Sequence, residues 1–180
     1  MANVAANVNV AVTGGVYFGP VGTALPATAI DALGVGFLEV GYLTEDGITQ
    51  AVGGATEDIK AWQNGDIVRT VQTEHTLTYA LTLLETNENS LALYSGGNYA
   101  AGIVEIKAGV MPHQTYVIEV VDGDDHIRIV IPDGQISERG EVTYTNGAAI
   151  AYPITISCFP DDTGVKAYVH YATAGVTAGI

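Results

Sequence analysis

The chain has 180 residues, long enough for one domain with a substantial core. Its hydrophobic content of 48% excludes an intrinsically disordered chain, while only 14% of residues are charged and acids outnumber bases 20 to 6, for a net charge of −14. The six bases, Lys60, Arg69, Lys107, Arg128, Arg139 and Lys166, are scattered along the chain. That argues against a nucleic-acid grip, because releasing counterions from phosphates needs clustered Lys and Arg.

Cys158 is the one cysteine, so an internal disulfide is excluded and nothing demands an oxidising compartment. The opening, MANVAANVNVAVTGG, lacks a basic n-region and is broken by Asn, so no secretory signal is expected. No apolar run approaches membrane-spanning length.

Residues 1–15 are almost all Asn, Val, Ala and Gly without charge, and read as a flexible or partner-ordered tail. Val16-Tyr17-Phe18 reads as a short strand. Residues 19–34 (GPVGTALPATAIDALG) are extended, since Pro20 and Pro26 restrict themselves and the residue before each. Together residues 1–34 form an expected N-terminal arm, poor material for an isolated domain and suited to lying on a neighbouring subunit; a surface loop is the other reading of 19–34. Gly36 to Leu43 reads as a strand. Residues 44–57 (TEDGITQAVGGATE) are polar and Gly-containing, and are expected to form a long connecting loop after an Asp46-Gly47 turn.

Asp58 to Val71 (DIKAWQNGDIVRTV) predicts a hairpin about Asn64-Gly65, two residues that tolerate positive φ. Glu74 to Leu84 (EHTLTYALTLL) alternates with period two over ten residues and predicts a half-buried strand. His75, Leu77, Tyr79, Leu81 and Leu83 fall on its core face. Glu74, Thr76, Thr78, Ala80 and Thr82 fall on its wet face. Asn87 predicts a helix N-cap, Glu88 suits the positive end of the helix dipole, and Leu91, Leu93 and Tyr94 give the helix a short apolar face ended by Gly96-Gly97.

Further strands are expected over Gly102–Lys107, Thr115–Val121, His126–Ile131, Glu141–Thr145, Ala151–Phe159 and Val165–Thr173. Turns are expected at Asp122–Asp125, Pro132–Gly134, Asn146-Gly147 and Pro160–Gly164. The count of nine or ten strands with one short helix predicts a mainly β fold in a single domain over 1–180. It is a β-sandwich or partly closed barrel, with one short α-helix and long extended arms or loops.

No catalytic constellation emerges. Asp122, Asp124 and Asp125, and likewise Asp161 and Asp162, lack the spaced ligands of an EF-hand. His75, His113, His126 and His170 form no i, i+4 pair, and no phosphate loop or nucleophile elbow occurs. No cofactor or metal is expected.

The ordered series Gly41-Tyr-Leu-Thr-Glu-Asp-Gly-Ile-Thr49, Asp58-Ile-Lys-Ala-Trp-Gln-Asn-Gly-Asp66, Arg69-Thr-Val71, the Thr/Leu strand ending Leu84-Glu-Thr-Asn87, and Leu93-Tyr-Ser-Gly96 resembles the major tail tube proteins of long-tailed bacteriophages, nearest to those of actinobacterial phages. Gly19 to Pro26 resembles that family's N-terminal arm. The resemblance covers roughly residues 17–97.

It implies a structural subunit, not an enzyme. Six copies would form a ring, and rings would stack into a tube in the virion tail, assembled in the host cytoplasm. Part of each sheet would join an inner barrel that conducts DNA without binding it specifically. The further partners implied are a tape-measure protein in the bore and terminator and distal tail proteins at the ends, with no membrane. The expected channel-lining residues are Asp66, Glu74, Thr76, Thr78 and Thr82. The expected inter-subunit residues are Pro20 and Pro26 in the arm, Glu45, Asp46, Thr49 and Glu57 in the long loop, and Glu88, Leu91 and Tyr94 on the helix. Two other readings stand beside this one: a soluble β-sandwich module binding carbohydrate or protein, and a hydrolase using paired acids.

Overall fold

The computed structural model describes residues 3–97, 99–106, 108–173 and 176. After a short 3₁₀ turn at Ala5–Asn7, the elements are β1 (Thr13–Pro20), β2 (Leu38–Glu39), β3 (Leu43–Lys60), β4 (Ile67–Leu83), α1 (Glu88–Ser95), β5 (Tyr99–Ala100), β6 (Ile103–Val104), β7 (His113–Asp122), β8 (Asp125–Arg139), β9 (Tyr152–Phe159) and β10 (Tyr168–Ala172). The fold is mainly β with one short helix. An antiparallel sheet runs in the order β2-β1-β7-β8-β9-β4-β3, and β10 pairs with β8.

Period-two alternation sorts the strands into two faces. Phe18, Tyr79, Leu81, Leu83, Tyr116, Ile118, Ile131, Ile154 and Ile156 lie in one core. β1 and β4 are far apart in the strand order, yet both supply that core, so the sheet folds over on itself in a sandwich-like way. It does not close into a barrel. Residues 40–42 span the gap instead: Val40 N donates to Val16 O at 3.1 Å and Leu84 N donates to Tyr42 O at 2.9 Å.

The segment 44–57 is a strand, not the expected loop. It belongs to β3, which ladders along β4 from Ile48↔Leu81 to Lys60↔Ile67. Thr, Gly, Ala and acidic residues there give no apolar alternation, because most of this strand is exposed on both faces. The Asp46-Gly47 turn signal is used as a wide irregularity: the ladder jumps from Leu43↔Leu83 to Ile48↔Leu81, with Gly47 at φ 67°. The second strand of the hairpin expected over 58–71 and the strand expected over 74–84 are one, β4. It absorbs Thr73 as an unpaired residue between Gln72↔Thr56 and Glu74↔Ala55.

The arm is also shorter than expected. Residues 13–20 are β1, inside the sheet between β2 and β7, with Val16 fully buried. β8 runs straight through Pro132-Asp133-Gly134, where a turn was expected. The β7–β8 register shifts between Gln114 and Tyr116, so Pro132 sits where the ladder asks for no N–H. Residues 141–145 are not a strand. The expected β9–β10 hairpin is absent as well: β9 pairs with β8 at 133–139 and β10 pairs with it at 126–130, so β10 continues the same edge.

Helix α1 follows its capping signals. The Asn87 side chain accepts from Ser90 N at 2.8 Å, and Gly96 closes the helix in the left-handed region at φ 68°. Asn87 Nδ2 also donates to Val40 O and to Glu85 Oε2, so the cap ties the helix to the gap-spanning segment. Asn87→Ala is expected to cost about 1–2 kcal/mol, the upper part of the range for lost caps, and to be measured as a lower urea midpoint.

Candidate assembly surfaces

β9 reaches β4 only from Thr78 to Leu83. Beyond that point β3 and β4 pair only with each other, and the hairpin projects from the body of the sheet. Its end is folded as Asn64-Gly65 predicts, with φ of 57° and 70°, and Ala61 N donates to Asp66 O at 2.7 Å. Ile59, Trp62, Ile67 and Val68 are all exposed there, Trp62 at 96%. The outer edge of β3 has no strand partner among the described residues. A long exposed edge of this kind is a template for pairing with another chain.

The face of β4 opposite the core carries Thr76, Thr78, Ala80 and Thr82, and Glu74 shares their parity. Its neighbours by register are small: Ala55, Gly53, Ala51 and Thr49 on β3, and Ser157, Thr155 and Pro153 on β9. Ser157 and Thr155 lead on to Gln135 and Glu138 of β8. Ser157 Oγ donates to Ser137 Oγ at 2.7 Å, and Ser137 Oγ donates to Thr155 O at 3.3 Å. The result is a strip of short hydroxyls and methyls crossing four strands. Of the bases nearby, Arg139 pairs across to core residue Ile154 and donates to Ser95 O, away from the strip.

The sequence reading found the β4 part of this strip. It missed Ser137, Thr155 and Ser157, although their alternation with Ile154, Ile156 and Cys158 was visible. What was missing was the β4–β9 pairing, which joins strands some 70 residues apart.

The remaining predicted residues scatter. Asp66 lies in the turn at the hairpin's end, away from the strip's four strands. Glu45 and Asp46 stand at the hairpin's root, and Thr49 and Glu57 lie along β3. Pro20 ends β1, and Pro26 lies in the segment between β1 and β2. Glu88 is exposed in the first turn of α1. Leu91 and Tyr94 pack on the chain's own core, where the Tyr94 ring meets Tyr152 at 5.4 Å and Tyr94 OH donates to Gly140 O at 2.7 Å.

Residues 21–37 lie on the chain's own sheet. Arg128 of β8 is buried, and its Nη1 donates to Thr28 O at 2.8 Å and Asp31 O at 2.7 Å. Its Nε and Nη2 grip Glu119 Oε1 of β7. Val117 and Val130 share this face of β7 and β8 and are fully buried.

The loop before β10 is built on Asp161, whose carboxylate accepts from Tyr168 OH, Thr163 Oγ1, Thr163 N and Val165 N. The hydrogen bonds from Tyr168 and Thr163 hold its carboxyl down at about 2. An unfolded Asp titrates near about 4. A depressed folded value means that the stabilisation is complete above about pH 4 and is lost as pH falls toward about 2. The urea midpoint is therefore expected to drop over that interval, and Asp161→Ala is expected to flatten that part of the profile. Among the described residues, no three His, Cys, Asp or Glu side chains gather as a metal-ligand set, and no helix is long and apolar enough to cross a membrane.

A sheet with its core on one face, a hydroxyl strip on the other and a two-stranded projection with a free edge offers the surfaces of a structural protein. The chain belongs to the phage tail tube protein family, whose model matches residues 1–175. It is a structural component of the virion tail. No curated protein matches it. Among solved structures, a chain from the virion of a native gene transfer agent particle is similar over 88% of this chain and 95% of that one, at 7% identity and a TM-score of 0.40.

Proposed function

We propose that six copies close into a ring and that rings stack into a tube whose bore is lined by the hydroxyl strip. The observation that carries this reading is the strip itself: Thr76, Thr78, Thr82, Thr155 and Ser157 cross-paired with Ala51 and Gly53, with Glu74 and Glu138 as its acids. A wall of short neutral groups and carboxylates offers a sliding polyphosphate neither clustered cations nor large apolar patches to stick to. The net charge of −14 supports the same role, because like charge keeps DNA off the wall. Pairing along the free edge of β3 would continue the sheet from one subunit to the next and remove the edge.

The contacts between subunits are assigned to the projecting hairpin, including Thr49 and Glu57, to the root at Glu45 and Asp46, to the arm at Pro20 and Pro26, and to the exposed start of α1 at Glu88. The subunit performs no chemistry. It is assembled in the host cytoplasm, around a tape-measure protein that precedes the DNA, and the tube is bounded by terminator and distal tail proteins. Negative-stain electron microscopy of the concentrated protein is the test. Hollow tubes of uniform width with six-fold end views are expected. Solid ribbons, or a monomer that persists when seeded with tail fragments, would overturn the proposal.

A further inference from the structure

We propose that Asn146 is a site of spontaneous covalent modification: the folded chain converts it to isoaspartate with loss of ammonia, while the same dipeptide at Asn64 is held unreacted. The reaction is independent of assembly into a tube.

The chemistry runs within the chain. Water or hydroxide takes the proton from Gly147 N, and that nitrogen attacks Asn146 Cγ. A new C–N bond forms, the C–N bond of the side-chain amide breaks, and ammonia leaves. The product is a five-membered succinimide, which water then opens. Opening at the backbone carbonyl carbon gives isoaspartate, with the chain running through the side-chain carbon. Opening at Cγ gives aspartate. In sum, asparagine and water become isoaspartate or aspartate and ammonia, with nothing oxidised or reduced.

Two dipeptides suit this reaction, Asn64-Gly65 and Asn146-Gly147. Glycine lacks the Cβ that hinders the approach of the nitrogen at other residues. Asn3, Asn7 and Asn9 are each followed by a branched Val. Asn87 and Asn89 are followed by Glu and Ser, and their amides are engaged, with Asn87 Nδ2 donating to Val40 O and Asn89 Nδ2 to Glu39 O.

The structure separates the two candidates. Ring closure requires the glycine nitrogen to eclipse the asparagine Cβ about the Cα–C bond. Asn64 is in the left-handed region at φ 57°. There ψ of about +30 to +60° turns the next nitrogen nearly opposite Cβ, the far extreme from the ring. Two hydrogen bonds fix that turn, Ala61 N to Asp66 O at 2.7 Å and Asp66 N to Gln63 O at 3.4 Å. The paired strands β3 and β4 enclose it.

Asn146 is under neither restraint. It is outside the left-handed region, and residues 141–151 belong to no strand or helix. The segment is closed at its base by Gly140 N donating to Pro153 O at 2.8 Å. Residues 143–149 are all exposed. Among the described residues, neither the Asn146 side chain nor Gly147 N makes a hydrogen bond. Rotating this peptide therefore breaks no ladder and uncovers no core, so the reactive geometry is reached by local motion alone. The product fits as well. Isoaspartate lengthens the backbone by one methylene and adds one carboxylate, which an exposed segment accommodates, and the chain passes from −14 to one charge more negative.

Ageing the folded protein in mildly alkaline buffer is the test, because base frees the attacking nitrogen. Trypsin places the two sites in separate peptides, residues 61–69 and 140–166. Isoaspartate is read in each by isoaspartyl methyltransferase labelling and by mass. In the folded protein, 140–166 is expected to convert about tenfold or more faster than 61–69, the factor that about 1.4 kcal/mol of extra opening cost produces. In urea, where both backbones rotate freely, the two are expected to convert at comparable rates. Aged wild type is expected to yield a more acidic species on ion exchange, and Asn146→Gln is expected to abolish it. Equal rates in the folded protein, faster conversion at Asn64, or a preference for Asn146 that persists in urea overturns the inference.

Discussion

Arg128→Met is expected to lower the free energy of unfolding by about 3–5 kcal/mol, the range for breaking a buried ion pair by removing one partner. The methionine keeps most of the apolar stem, so the loss comes from the guanidinium and not from a cavity. Glu119 would be left with no cation at Oε1, where Nε stands at 3.0 Å and Nη2 at 2.5 Å. Thr28 O and Asp31 O would lose their donor at the same time. Those two carbonyls are what fasten residues 21–37 over Val117 and Val130, so the segment should also loosen. Urea denaturation measures the first effect. Limited proteolysis of the native variant measures the second, with new cleavage expected between Val21 and Phe37. The double variant R128M/E119Q should lose less than the sum of the single losses, since both remove one interaction. If Arg128→Met unfolds with the wild-type midpoint and no new cleavage, the latch carries no stability.

What the sequence made legible was local. Asn87 and Gly96 bound α1 because capping chemistry acts within three or four residues. The hairpin's end was legible from Asn64-Gly65. The burial of Tyr79, Leu81 and Leu83 followed from period two, because one face of that half of β4 meets the core and the other does not. The same rule failed on β3 for a physical reason. A strand exposed on both faces has no solvent boundary to impose alternation, so TQAVGGATE reads like a loop while its backbone is fully laddered. The grip of Arg128 on Thr28 and Asp31 spans about a hundred residues, and no local pattern announces it. The hydroxyl strip was half legible for the same reason. Each strand's wet face could be read alone, but the β4–β9 register that lays Thr155 and Ser157 beside Thr78 and Ala80 is a tertiary fact.

Replacing residues 53–76 with Asn-Gly is expected to abolish tube formation while leaving a folded protein. Val52 and Leu77 are cross-strand partners, so a two-residue turn joins them in the register they already have. The segment removed supplies no residue to the buried core, and β9 continues to hold β4 at Thr78 to Leu83. Stability should therefore change by no more than about 1 kcal/mol, as for other changes remote from the core, and a shorter connection carries a slightly smaller closure entropy. Assembly should respond quite differently. The deletion removes Trp62, Ile59, Lys60 and Arg69, and it shortens the free edge of β3 by eight residues, Gly53 to Lys60. Sedimentation and electron microscopy of the shortened protein should find compact particles with unchanged thermal unfolding and no tubes at any concentration where the full chain forms them. Tubes of the same width and axial repeat from the shortened chain would take the hairpin out of assembly. The arm and the start of α1 would then have to join the rings. A protein that loses its cooperative unfolding would show instead that the exposed strands support the core, against the exposure of both their faces.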